Sequence, residues 1–348
     1  MTAGSTAQAS SEARRGDARR HLARAPVTIP RSLRTLLRLA LGVAIVHVAF
    51  GGMVRISGAG MGCGPSWPQC QGAWFPPLDR PALVIEWTHR LLALILTVTV
   101  AGTAFVAWRA RREPGVGGQG GVLVPAIVAL ALVLTTALFG AVTVWMGNAP
   151  VATVGHWALA ASLLATLAVA CVRAGDFGGA QPAIASARLV RATAAAAALT
   201  FIVLVLGGLT AKVMGANLAC RAFPLCGAHS EAPIIAGPAR LQMTHRIFAF
   251  LLFFHLMGIA IGARRYVDAP AAVRAVRAAF GIAVLQVIIA AAMVALALPP
   301  ALRSLHQITG VLLWVTTVIA LTLARRANPA AAPVPPSIAV IIARGAGG

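Results

Sequence analysis

The stretch GGMVRISGAGMGCGPSWPQC, Gly51 to Cys70, leads to EWTHR at Glu86 to Arg90; it returns as GGLTAKVMGANLACRAFPLC, Gly207 to Cys226, leading to QMTHR at Gln242 to Arg246. Gly51 and Gly207, Cys70 and Cys226, and His89 and His245 all stand 156 positions apart, so one register persists over forty residues. Self-similarity on this scale marks an internal duplication. Each copy is a polar loop between long apolar runs, and those runs decide the fold class.

Of the 348 residues, 59% are hydrophobic and 11% charged, with a mean hydropathy of +0.84, which excludes an ordinary soluble globular domain. The net charge of +21 raises nucleic acid as a partner. Arginine falls in short clusters between apolar runs, however, rather than along one face, so the partner is a lipid bilayer and not nucleic acid. A membrane helix needs roughly 20 apolar residues. Eight stretches meet this, near 36–56, 82–107, 122–146, 151–172, 192–212, 239–262, 278–298 and 302–323, the last two separated by a tight turn at Pro299 and Pro300.

The expected fold is all-α: a polytopic membrane protein of eight transmembrane helices, arranged as two tandem four-helix bundles related by pseudo-twofold symmetry. Residues 1–35 form a basic cytoplasmic tail, 36–172 the N-terminal half, 173–191 a cytoplasmic linker, 192–323 the C-terminal half and 324–348 a disordered cytoplasmic tail. The arginine-bearing start reads as a tail rather than a transit peptide because Glu12 and Asp17 interrupt it. Arginines of both tails and of the loops near 109–112, 173–191 and 264–277 fall on one side, assigned to the cytoplasm, so the two long cysteine loops near 57–81 and 213–238 face outward.

Polar side chains at membrane depth are costly and usually functional. His89 and His156 lie near the outer ends of the second and fourth stretches, and His245 and His306 occupy matching places in the sixth and eighth. One His from each alternate helix of a bundle is what bis-His heme ligation requires. No cysteine or carboxylate joins them at zinc-like spacing, and no C-x-x-C-H run attaches heme covalently. His47 and His255 lack repeat partners and read as packing residues, while His21 and His229 read as solvated.

Glu86 is the one acidic residue inside an expected span, a helical turn outward from His89; its counterpart Gln242 cannot ionise. A carboxylate there can move protons or stabilise developing positive charge. The competing reading is a structural carboxylate paired with Arg90. Cys63 with Cys70, and Cys220 with Cys226, can each close a small disulfide in an oxidising compartment, as staples in preference to redox couples; Cys171 packs. Arg55, Arg90, Lys212, Arg246 and Arg303 gather at the outer helix ends and are the cations available to heme propionates.

The GGMVRISGAGMGC loop with Cys70, EWTHR, the His156 and His306 helices and the second cysteine loop with QMTHR resemble the heme A synthase family, in its bacterial form with paired loop cysteines. The resemblance implies an enzyme that oxidises the ring D methyl group of heme O to a formyl group, giving heme A for terminal oxidases. It further implies that His89 and His156 flank the heme O substrate, that His245 and His306 ligate a heme B cofactor, and that Glu86 is catalytic. Heme O synthase, a terminal oxidase or a second copy of the chain are the implied protein partners. A non-catalytic b-type cytochrome is the alternative. A prenyltransferase would need intramembrane aspartate clusters for magnesium, and an inverted-repeat transporter would need halves with an odd number of spans.

Overall fold

A computed structural model describes residues 29–227 and 237–328, so His21, His229, Glu231 and most of both tails lie outside the described residues. Among the described residues the chain is helical, with no β-strand beyond an isolated bridge between Cys70 and Ala73. The eight long helices are α1 (Arg31–Ile56), α2 (Pro81–Arg109), α3 (Leu123–Trp145), α4 (Pro150–Arg173), α5 (Ala187–Lys212), α6 (Gly237–Ile261), α7 (Pro270–Ala295) and α8 (Pro300–Ala327). Each is long and apolar enough to cross a membrane.

Proline opens α2, α4, α7 and α8 at the first helical position, where its missing N–H costs nothing. Ser186 caps α5 by accepting from the Leu189 N–H at 3.3 Å. Three helices start well before the apolar windows do: α1 at Arg31 rather than 36, α5 at Ala187 rather than 192, and α7 at Pro270 rather than 278, the last two at these signals. Arg188, Arg191, Arg274 and Arg277 are therefore exposed helical residues near the starts of α5 and α7, not loop residues. α7 also ends at Ala295, and the turn into α8 is made by Ala297 and Leu298 at φ of 56° and 63°. α8 runs on to Ala327, into the expected tail.

Packing closes α1, α2, α3 and α4 into one ring and α5, α6, α7 and α8 into another. The rings meet through α1 against α8, α4 against α5, and α4 against α8. α8 is the most enclosed helix, and the Trp314 indole N–H donates to the Ala161 carbonyl of α4 at 2.7 Å. At the arginine-bearing end the linker is tied down: Asp176 pairs with Arg38 of α1 at 2.5 Å, while the Ile184 and Ala185 N–H groups donate to the carbonyls of Asp268 and Ala327. Between the rings, towards the disulfide loops, a cavity remains.

Candidate functional site

That cavity has a volume of about 1050 Å³ and is walled by both halves, with His89, His156, His245 and His306 all lining it. Ligand pockets commonly run to about 300–1,000 Å³, so the space is ample for a large planar molecule. The paired glycines of the repeat explain how the rings fit. A Cβ on Gly51 would stand 3.0 Å from His89 Cε1, and one on Gly207 would stand 2.9 Å from His245 Cε1. The first glycine of each pair thus seats the histidine of its own half. The second admits a side chain from the other half: Gln307 of α8 lies on Gly52, and Trp157 of α4 lies on Gly208. Trp157 and Gln307 each follow the second histidine of their own half.

Hydrogen bonds orient the second histidines differently. His156 Nδ1 lies 3.1 Å from the Thr136 carbonyl, an acceptor, so that nitrogen carries the proton and Nε2 keeps its lone pair for the cavity. Gln286 stands 150 positions after Thr136, as His306 stands after His156. Its amide nitrogen donates to the His306 carbonyl at 2.9 Å and lies 3.3 Å from His306 Nε2, while the Thr309 hydroxyl donates to its amide oxygen. His89, His245 and His306 Nδ1 are all buried without a hydrogen-bond partner. His47 sits in the cavity wall with its ring stacked on His89, at 4.3 Å between centroids and 8° between planes. Sequence reasoning set it aside for want of a repeat partner; its position one turn before Gly51, the seat of His89, is the signal that locates it. His255 lies off the cavity and bonds the Ala192 carbonyl at 2.9 Å, as a packing residue does.

Glu86 and Gln242 share a task. Glu86 Oε2 accepts from the Cys63 N–H at 2.8 Å, and Gln242 Oε1 accepts from the Cys220 N–H at 2.7 Å. Each latches its disulfide loop onto the helix that bears the histidine. The free oxygen of Glu86 pairs with Arg90 Nη2 at 2.5 Å, and Gln242 has no such charge to offer. Arg90 Nη1 also donates to the carbonyls of Ser66, Pro68 and Gln69, and Arg246 donates to those of Cys220, Ala222, Pro224 and Leu225. These two arginines are therefore committed to their loops. Arg55, Lys212 and Arg303 also line the cavity and make no ion pair among the described residues; Arg55 reaches Gln307 at 3.4 Å and lies 5.7 Å from the Trp157 ring centre.

Both expected disulfides are formed, Cys63 to Cys70 and Cys220 to Cys226, and Cys171 is free and buried. Among the described residues no three His, Cys, Asp or Glu side chains converge on a point that would hold a metal ion.

The COX15-CtaA family, described as cytochrome oxidase assembly protein, matches residues 34–318. Heme A synthase of Bacillus pumilus is 29% identical over 227 residues, 64% of this chain and 72% of the relative. Heme A synthase of Geobacillus kaustophilus is 28% identical over 233 residues, 65% of this chain and 71% of the relative. Heme A synthase of Bacillus licheniformis is 29% identical over 231 residues, 64% and 73% of the two chains. The matched span takes in every residue discussed above as lining the cavity.

Proposed function

This chain belongs to the COX15-CtaA family of cytochrome oxidase assembly proteins, and from that premise we propose that it is a heme A synthase, an oxidoreductase that converts the ring D methyl group of heme O to a formyl group. The observation that carries the reading is the shared cavity with two histidines from each half, His89 and His245 seated on glycine. Its donor set fits heme. Two helices of each half bring an imidazole to its wall, as iron already held by four pyrrole nitrogens requires.

In this reading His89 and His156 hold the heme O substrate, and His245 and His306 hold heme B, whose iron supplies one-electron redox chemistry when bound. His156 is the most preorganised of the four, since the Thr136 carbonyl keeps its Nε2 unprotonated. For heme B to take His306 through Nε2, the Gln286 amide must turn away and stay on the His306 carbonyl. Arg55, Lys212 and Arg303 are the cations left to face propionates, because Arg90 and Arg246 are spent on loop carbonyls. Glu86 supplies a fixed carboxylate near His89, held by Arg90 and the Cys63 N–H. Raising the methyl carbon to the aldehyde level, by way of a geminal diol that loses water, releases electrons that an external oxidant, dioxygen or an electron carrier, must take. It also releases protons that the Glu86 carboxylate can accept while it offsets positive charge.

The protein works in the cell membrane with both termini cytoplasmic and the disulfide loops outside, which arginine at the opposite helix ends supports. Heme O synthase upstream and a terminal oxidase downstream are the partners that this chemistry calls for, and a homo-oligomer is compatible with it. The test is Glu86→Gln, which keeps the latch and removes the charge. Membranes carrying it should accumulate heme O, contain no heme A and retain a heme B spectrum. Unchanged heme A would leave the b-type cytochrome as the better account.

A further inference from the structure

We propose that His47 is a positioning residue that sets the ring plane of His89, giving the N-terminal heme site an aromatic clamp that the C-terminal site lacks. The inference rests on the heme reading above. α1 presents His47, Phe50 and Gly51 at spacings of three and four, so all lie on one helix face. His89 lies on that face: Gly51 is its seat, the His47 ring is parallel to it at 4.3 Å and 8°, and Phe50 stands 6.4 Å away at 19°.

The positions 156 further on are Val203, Leu206 and Gly207. The glycine is retained and both rings are replaced by aliphatic side chains, which cannot stack on His245. The difference matters because rotation about the final torsion of a histidine is soft. Something besides the rotamer must fix the ring plane. For His156 it is the hydrogen bond from Nδ1 to the Thr136 carbonyl. His89 has no such bond, its Nδ1 being buried and unpartnered, so stacking is the orienting contact that remains. His47 itself carries a buried, unpartnered Nδ1 in the cavity wall. A polar ring at membrane depth without a partner is expensive, and orienting an iron ligand is a reason to keep one.

The test uses the full chain, purified in detergent and loaded with heme, read by low-temperature electron paramagnetic resonance of the ferric protein. Wild type should give two low-spin signals. His47→Val, which copies Val203, should shift one signal, leave the other in place, and weaken retention of the first-half heme by about tenfold, as loss of an orienting partner commonly does. His47→Phe, which keeps a stackable ring, should restore the wild-type signal and retention. Two unchanged signals in His47→Val, or a His47→Phe signal displaced as far as that of His47→Val, would overturn the proposal. Wild type without any low-spin heme would instead overturn the heme reading beneath it. Should His47→Val fail to accumulate, the position of the His47→Phe signal decides alone.

Discussion

The two adjacent glycines that open each repeat do separate work, and each can be tested by one methyl group. Alanine at 51 or 207 puts a Cβ within 3.0 Å of an imidazole that has nowhere to retreat except into the cavity. Gly51→Ala should therefore lower the heme held by the first half and spare the second, and Gly207→Ala the reverse, in pyridine hemochrome spectra that separate heme O from heme B. Loss of both hemes from either variant would mean the halves are not independent binding units. Glu86 poses a different question, because it serves the loop as well as the site. Glu86→Ala strands the Cys63 N–H and one nitrogen of Arg90, and an unsatisfied buried donor costs about 1–3 kcal/mol; Glu86→Gln spares the first of these. Thermal melts should place Glu86→Ala clearly below wild type and Glu86→Gln between the two, while both lose heme A. The pairing of Glu86 with Gln242 was readable from the register of the repeat. The latch was not, because its partner is a backbone N–H brought close only by the fold.

Helices were readable where hydrophobicity alone defines them, and their starts were not. Hydropathy windows stop at the arginines near the helix starts, yet those residues stay helical, since a charged side chain on an exposed turn costs a helix little and Ser186 or Pro270 has already set its beginning. The disulfide loops show the converse, segments whose irregular path is held by a few named contacts. Arg90 and Arg246 gather three and four loop carbonyls respectively, and Glu86 and Gln242 hold the cysteine N–H groups. With so many hydrogen bonds in place, each disulfide is one fastening among several. Closing a loop of this size restricts the unfolded chain by about 2.5 kcal/mol in the chain-entropy account. Cys63→Ser should accordingly lower the melting temperature while leaving heme A formation measurable in isolated membranes. Abolished activity in a variant that melts like wild type would assign the pair to electron transfer instead.

Each half packs its four helices into a ring, and the contacts between the rings correspond. α1 meets α8 as α5 meets α4, and Gln307 enters the first half as Trp157 enters the second. What distinguishes the halves is a handful of residues around this common plan: Glu86 against Gln242, His47 against Val203, and Thr136 against Gln286. A shared frame with divergent contacts suits one heme that is altered and released beside another that stays. The cavity reaches the disulfide loops, which line one end of it, so under the proposed function the direction in which the bundle crosses the bilayer decides which compartment the heme site lies nearer. Arginine argues for one direction, since Arg111, Arg112, Arg264 and Arg265 all lie at the end opposite those loops, and the cytoplasmic side retains such residues. Leu78, 79% exposed in the first loop, and Arg112, exposed between α2 and α3, mark the two ends. In intact cells an impermeant maleimide should label Leu78→Cys, and Arg112→Cys should react only after the membrane is opened. The opposite pattern would place the disulfides in the reducing compartment, where they would not persist, and would bring the heme site nearer that compartment.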